Sequence, residues 1–423
     1  MLEASLAAVP SGLAGGMLEL PGQLIFGEGC IDEVGQQVAR FGRRALVITD
    51  ENVCKTAGFA RAIDALVAAA VQVHIYDRSP VEIPPQAVAD CAAIVQAAPV
   101  SSRVDVIVGI GGGSCLDLAK LTALLATHGG PLDRYYGESQ VPGAVLPVVA
   151  VPTTAGTGSE VTTVAVLSDP RRPIKVGISD RHLRPRVAIC DPLLTMSCPR
   201  STTAFSGVDA ITHAVEAYLA PVRPPAWGNP DWGSQIFRGQ SAWADPFALQ
   251  GLALLAGNLD SVLRDGADVG ARARMMLGST FAGIAFGHAG TAAAHALQYP
   301  LGVATRTPHG LGVGLLLPYV LSYVRDNAVD RLATIGAVLG VAAPTMAPQP
   351  AAEAAVAEIS RLIWSAGIPR SLREIGVTRA ALPRYAAEAA TVTRLLKNSP
   401  RVLEQSDLLA ILELAWAGQQ QSE

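Results

Sequence analysis

Residues 104–120 read VDVIVGIGGGSCLDLAK. Val104–Ile110 is apolar and β-branched apart from Asp105 and Gly109, the pattern of a strand buried on both faces. Gly111-Gly112-Gly113-Ser114 follows at once, and a helix is expected from about Cys115. A strand, a glycine turn and a helix start together make an anion cradle. Glycine lets the backbone approach a diphosphate, and the first turn of the helix presents free N–H groups to it.

The same grammar extends outward on both sides. Arg44–Asp50, Val71–Tyr76 and Val145–Val151 read as further strands, separated by alanine-rich helical patterns. Buried strands alternating with helices imply a parallel sheet covered on both faces. This pattern ends near Cys190-Asp191-Pro192. From Ser201 onward long alanine- and leucine-rich stretches replace it, and they read as helices. The expected architecture is therefore an α/β nucleotide-binding domain over residues 1–192 and an all-α domain over residues 193–423. Pro221–Pro246 interrupts the helical part with Trp227, Trp232 and Trp243. A long loop of this kind is expected to be functional or an oligomer contact. Val341–Ala354 reads as a Pro/Ala-rich connection between helices.

Composition narrows the function. Of the 423 residues 50% are hydrophobic and 16% charged, which excludes disorder. The 32 basic and 36 acidic residues leave a net charge of −4, so no basic surplus favours nucleic acid. No apolar run reaches the ~20 residues of a membrane helix. Met1–Leu20 lacks the basic start of a signal peptide. The six cysteines include no CxxC pair and read as free thiols in a reducing cytoplasm. A small-molecule substrate is the expected partner.

A second turn, Pro152–Glu160, follows the strand at Val145–Val151 and carries Thr153, Thr154, Thr157 and Ser159 beside two glycines. Hydroxyls and exposed N–H groups suit a phosphate, ribose or amide. The alternative is a Ser/Thr-rich cap. Two such turns at the carboxyl ends of neighbouring strands favour the ligand, because that edge of an α/β sheet is where ligands bind. Asp50 has two readings, an acceptor for the adenosine ribose or a local N-cap. It precedes the glycine turn, whereas in the standard dinucleotide fingerprint the acid follows it by about 20 residues, so the topology differs from that fold. Asp209 and His213 stand four apart in a helical run and share one face. With His295 and His309 they make a plausible first shell for divalent Fe or Zn with an open position. Taken singly, each histidine also reads as a hydrogen-bonded core imidazole.

Gly111-Gly-Gly-Ser-Cys-Leu-Asp117-Leu-Ala-Lys120, the Pro152–Glu160 turn, Gly207-Val-Asp209-Ala-Ile-Thr-His213-Ala-Val-Glu216-Ala-Tyr218, and His295 through Pro308-His309-Gly310 together resemble the iron-containing alcohol dehydrogenase family. The resemblance runs from about Gly22 to about Trp416. It implies a two-domain fold like that of dehydroquinate synthase. It implies a divalent metal, Fe(II) with Zn(II) also suited, held by Asp209, His213, His295 and His309. It implies NAD(P) on Asp50, Gly111, Gly112, Gly113, Ser114, Asp117, Thr153, Thr154, Thr157, Ser159 and Lys175. A carboxylate at Asp50 accepts a ribose 2′-hydroxyl and repels a 2′-phosphate, so NAD(H) is expected over NADP(H).

The chain departs from the family at Tyr299, where many members carry a second histidine four residues after the position of His295. Tyr299 is then the candidate catalytic group, as an orienting hydrogen-bond donor. Tyr299, the insert after Tyr218 and the Asn229-Pro230 turn look more like the branch of hydroxyacid–oxoacid transhydrogenases. The expected activity is a metal-dependent, NAD(P)-linked alcohol dehydrogenase or carbonyl reductase, with such a transhydrogenase as the alternative. The substrate is an alcohol, an aldehyde or a hydroxy or oxo acid, and the expected assembly is a homodimer or larger homo-oligomer in the cytoplasm.

Overall fold

The structure is a computed structural model and describes residues 14–97 and 103–418. The first thirteen residues of the N-terminal stretch lie outside the described residues. Nine strands are described: β1 (Gln23–Phe26), β2 (Arg44–Ile48), β3 (Gln72–Tyr76), β4 (Val106–Gly111), β5 (Gly137–Glu138), β6 (Val148–Pro152), β7 (Val164–Leu167), β8 (Val176–Ser179) and β9 (Val187–Cys190). Six of them form one parallel sheet in the order β1-β9-β6-β4-β2-β3. A smaller sheet, β5-β8-β7, pairs β7 and β8 antiparallel.

β4 lies in the middle of the large sheet and is buried at every position. Alternation sends successive residues to opposite faces. Leu46, Ile48 and Ile107 pack on one side with Leu118 and Leu121 of the Gly113–His128 helix. Ala45, Val47, Val106, Val108 and Val149 pack on the other with Phe59, Ala62 and Leu66 of the Ala57–Ala68 helix. Burying each leucine or isoleucine fully contributes about 1.5–3 kcal/mol.

From Arg200 on, the described residues form a helical domain around a separate apolar core. Small residues set its spacing. A Cβ on Gly278 of the Val269–Ala289 helix would meet the Gly251 carbonyl oxygen of the Ala244–Ala256 helix at 3.1 Å. Among the described residues, no helix is long and apolar enough to cross a membrane.

Several local expectations shift. β2 stops at Ile48, so Asp50 lies two residues beyond the strand. The helix after β4 starts at Gly113 rather than Cys115, with Gly112 at its N-cap and no side chain capping it. Glycine and serine thus supply the first turn, which leaves its N–H groups open. His309 opens the His309–Val324 helix, where Pro308 occupies the N-cap. Val341–Ala354 is not wholly a connection, because a helix starts at Pro348 with proline in its first turn, where proline is favoured. β1, β5, β7, β8 and β9 are two to four residues long, too short for a clear periodic signal. The tryptophan-bearing insert contains a short helix, Pro230–Ser234, capped by Asn229. It docks on the N-terminal segment, with the Ala242 N–H donating to the Ala14 carbonyl at 2.9 Å.

Candidate active site

The carboxyl ends of β4 and β6 face the helical domain across a cleft of about 970 Å³, counting its solvent-open part. Gly113, Ser114, Asp117, Thr157, Ser159 and Lys175 line it from the α/β side, and Asp209, His213, His295, Tyr299 and His309 from the helical side.

Asp209 and His213 come from one face of the Arg200–Leu219 helix, His295 from the Ala293–Thr305 helix and His309 from the start of the next. All three imidazoles aim Nε2 at one oxygen. Asp209 Oδ1 lies 3.7 Å from His213 Nε2, 3.6 Å from His295 Nε2 and 3.8 Å from His309 Nε2. These separations are too long for hydrogen bonds. They are close to the roughly 3.4 Å expected between ligand atoms bonded at about 2.0–2.2 Å to one tetrahedral ion. Asp209 Oδ1 and His295 Nε2 are both buried without a hydrogen-bond partner. Buried polar atoms left without partners in a native fold call for an explanation, and a cation between them supplies one. The ligand atoms of Asp209, His295 and His309 all lie within 4.8 Å of one another. His213 completes the ring while stacked between Phe286 and His295, at 4.2 and 4.7 Å between centroids.

Glu216 was visible in the sequence motif but carried no role there. Its Oε2 accepts from His295 Nδ1 at 2.6 Å and from the Ala292 N–H at 2.7 Å, while Oε1 accepts from the Ala294 N–H at 2.7 Å. With its proton held on Nδ1, His295 turns the Nε2 lone pair inward, as a metal-ligating histidine requires. Burial pulls His295 down, but Glu216 and Asp209 outweigh it and raise the imidazole to about 9. Burial pushes His213 down to about 4. Burial also works against the Asp209 carboxylate, yet the three imidazoles hold it well below the usual range.

The two turns meet at the other end of the cleft. A Cβ on Gly113 would sit 2.6 Å from Thr157 Cγ2, so only glycine allows this approach. Lys120, fully buried, ties the turns together. Its Nζ donates to Ser159 Oγ at 2.8 Å, Thr162 Oγ1 at 3.3 Å and the Val164 carbonyl at 2.8 Å. Ser159 in turn donates to Asp117 Oδ1 at 2.6 Å. The uncapped helix start and the glycine cradle fit a diphosphate.

Asp50 caps its own turn, accepting from the Asn52 and Val53 N–H groups on Oδ1 at 2.8 and 3.0 Å. Among the described residues, Oδ2 accepts only the weak Cys115 thiol at 3.5 Å and keeps capacity for a further donor. Asp50, Gly111, Gly112, Thr153 and Thr154 are not part of the cleft wall. The Thr153 N–H donates to the Gly111 carbonyl at 3.0 Å, and Thr154 lies against Gly112. Lys175 pairs with Glu82 at 2.7 Å. Tyr299 is buried in the wall, its hydroxyl 3.3 Å from Arg394 Nη2. Arg394 and Phe237 also line the cleft, and neither carries a motif that would single it out in the sequence.

Comparison with known proteins agrees with this geometry. The family model described as iron-containing alcohol dehydrogenase matches residues 21–192. A second, the C-terminal region of the same family, matches residues 237–416. A long-chain-alcohol dehydrogenase of Geobacillus thermodenitrificans is 36% identical over 93% of this chain and 94% of its own. A mitochondrial hydroxyacid-oxoacid transhydrogenase of Pongo abelii is 29% identical over 92% of this chain and 87% of its own. The crystal structure of a 1,3-propanediol oxidoreductase superposes with a TM-score of 0.85 at 32% identity, covering 95% of this chain and all of that one. A parallel sheet with its glycine turn, a helical domain carrying one carboxylate and three convergent imidazoles, and relatives matched over nearly their whole length show that the chain belongs to the iron-containing alcohol dehydrogenase family.

Proposed function

We propose that the protein interconverts an alcohol and its carbonyl compound with NAD(H), using Fe(II), or Zn(II) in its place, on Asp209, His213, His295 and His309. The observation that carries this reading is the convergence of three Nε2 atoms on the unpartnered Asp209 Oδ1. In balance, the alcohol and NAD⁺ give the carbonyl compound, NADH and one proton. A bound divalent ion would supply Lewis-acid polarisation of the substrate oxygen, and the nicotinamide would carry the hydride. The chain's own groups bind and orient. The open N–H groups at Gly113 and Ser114 hold the diphosphate, and Lys120 fixes the Ser159 turn beside it. Glu216 fixes the His295 tautomer, and Phe286 and Phe237 exclude water.

The experiment is metal analysis and turnover on one preparation after anaerobic loading with Fe(II) or Zn(II). One ion per chain is expected, with both metal and activity lost in His309→Ala. Full occupancy in that variant would overturn the ligand set. Preference for NAD(H) over NADP(H) is supported by the free capacity of Asp50 Oδ2. Equal catalytic efficiency with both cofactors would count against it.

Tyr299 is proposed to orient the substrate oxygen. A phenol O–H is a serviceable hydrogen-bond donor to a substrate oxygen. Tyr299→Phe is expected to keep metal and lower turnover by ~10- to 100-fold, the scale of one lost transition-state hydrogen bond. Unaltered turnover with a lower melting temperature would make Tyr299 a packing residue only.

The transhydrogenase reading rests on Tyr299 and the insert. Net consumption of free NADH in the steady state separates the two activities. Self-association is supported by β1, an edge strand of the large sheet with Leu24 and Phe26 partly exposed, and light scattering tests it.

A further inference from the structure

Arg394, in the short helix Thr393–Leu396, lines the same cleft as the four metal-ligating side chains. Its guanidinium lies against β8 across the cleft, where a Cβ on Gly177 would meet Nη2 at 2.7 Å. It also stands 5.6 Å from the centroid of the Phe237 ring. Nη2 donates to the Tyr299 hydroxyl at 3.3 Å. Among the described residues, no carboxylate lies within ion-pair distance of Arg394, whereas Lys175 in the same cleft is matched by Glu82. An arginine partly withdrawn from water in a cleft, with a phenol hydroxyl as its partner, keeps a planar fork of donors for an anion.

The distance scale points the same way. Tyr299 follows His295 by one helical turn on the same face, about 6 Å along the helix axis. Arg394 is anchored at the Tyr299 end. A substrate with its oxygen at the His295 end would therefore place a group a few bonds away beside the guanidinium.

Resting on the dehydrogenase reading above, we propose that the substrate is a short-chain alcohol or aldehyde whose other end carries an anionic carboxylate or sulfonate. Arg394 binds that anion and sets the specificity. Tyr299 steadies Arg394 as well as the substrate. The alternative, Arg394 as a latch between the two domains, would weaken every substrate alike.

The test compares 4-hydroxybutanoate, 3-hydroxypropane-1-sulfonate and butan-1-ol on metal-loaded protein with NAD⁺. Wild type is expected to favour one of the anions over butan-1-ol by about 100-fold in kcat/KM, the scale of one charge-assisted hydrogen bond in a partly wet cleft. Which anion leads distinguishes carboxylate from sulfonate. In Arg394→Gln the anion-to-neutral ratio should collapse by a similar factor, and Arg394→Lys should restore part of it. A ratio unchanged in Arg394→Gln, or equal losses on all three substrates, would overturn the assignment. Calorimetric titration of 4-hydroxybutanoate into protein without metal or nicotinamide gives a second readout, with binding at least 10-fold weaker in Arg394→Gln. Activity on butan-1-ol without any advantage for the anions would sink the anion subsite and leave the dehydrogenase reading standing. Inactivity on every alcohol after loading would sink the dehydrogenase reading, and the titration would still decide Arg394.

Discussion

Glu216 and Lys120 show how much of the chemistry rests on residues one step behind the cleft. Glu216→Gln keeps the volume but turns an amide N–H₂ either toward the Ala294 N–H or toward both the Ala292 N–H and His295 Nδ1. Either arrangement sets donor against donor in a buried place. Metal affinity is expected to fall by about 10- to 100-fold, measurable by chelator competition, and an unchanged affinity would remove Glu216 from the metal centre. Lys120 makes a pH prediction. Burial pushes its ammonium down to about 8, whereas the unfolded chain holds the proton to about 10.5. Between those values the unfolded state binds more protons, so stability attributable to this group rises with pH. Below pH 8 both states are protonated and the burden of the buried charge is present in full. Relative to Lys120→Met, the wild type should therefore gain up to about 3 kcal/mol between pH 8 and pH 10.5. Urea unfolding of both proteins at the two ends of that range checks it, and a constant difference would contradict it.

At the scale of elements, the second turn owes its shape to a helix of the other domain. Gly158 has a φ of +61°, and its Cα lies against Gly283 of the Val269–Ala289 helix. A Cβ on Gly283 would meet Gly158 Cα at 2.8 Å and Val161 Cγ2 at 2.9 Å. Helix propensity alone favours Gly283→Ala by about 1 kcal/mol. The clash is with backbone, which cannot rotate aside, and overpacking costs about 1–3 kcal/mol. The second effect is expected to win. Gly283→Ala should melt a few degrees lower and raise KM for NAD(H) by displacing Thr157 and Ser159. A higher melting temperature with unchanged KM would show that the turn is not held by this contact. The insert after Tyr218 has a comparable element-level role. Trp227 and Trp243 are exposed, while Phe237 forms part of the cleft wall. The insert therefore bears on the substrate end of the site as well as on the surface.

The whole molecule is a sheet-centred part and a helical part meeting at a cleft, and metal binding should couple to its stability. Because the proposed ligand ring brings together three helices of one domain, ions that bind the folded form alone would stabilise it by mass action, about 2.7 kcal/mol at 100 times the dissociation constant. Fe(II) or Zn(II) should raise the melting temperature of wild type and leave that of His309→Ala unmoved. An equal rise in both would place the stabilising ion elsewhere. Much of this organisation was legible beforehand. Val104–Ile110 with its glycine turn specified a buried strand and an anion cradle, since burial on both faces admits only continuous apolar runs. The spacing of Asp209 and His213 put both on one helix face by periodicity alone. Short strands such as β1 and β9 escaped notice because four residues carry too little pattern. Folding decided what no local pattern encodes. It brought His295 and His309 to within 3.8 Å of Asp209 Oδ1, set Glu216 behind His295, pressed Gly113 against Thr157, and carried Arg394 to Gly177 and Tyr299. Those contacts join segments far apart in the chain, and only tertiary packing fixes them, within the helical part for the imidazoles and across the cleft for Arg394 and Gly177.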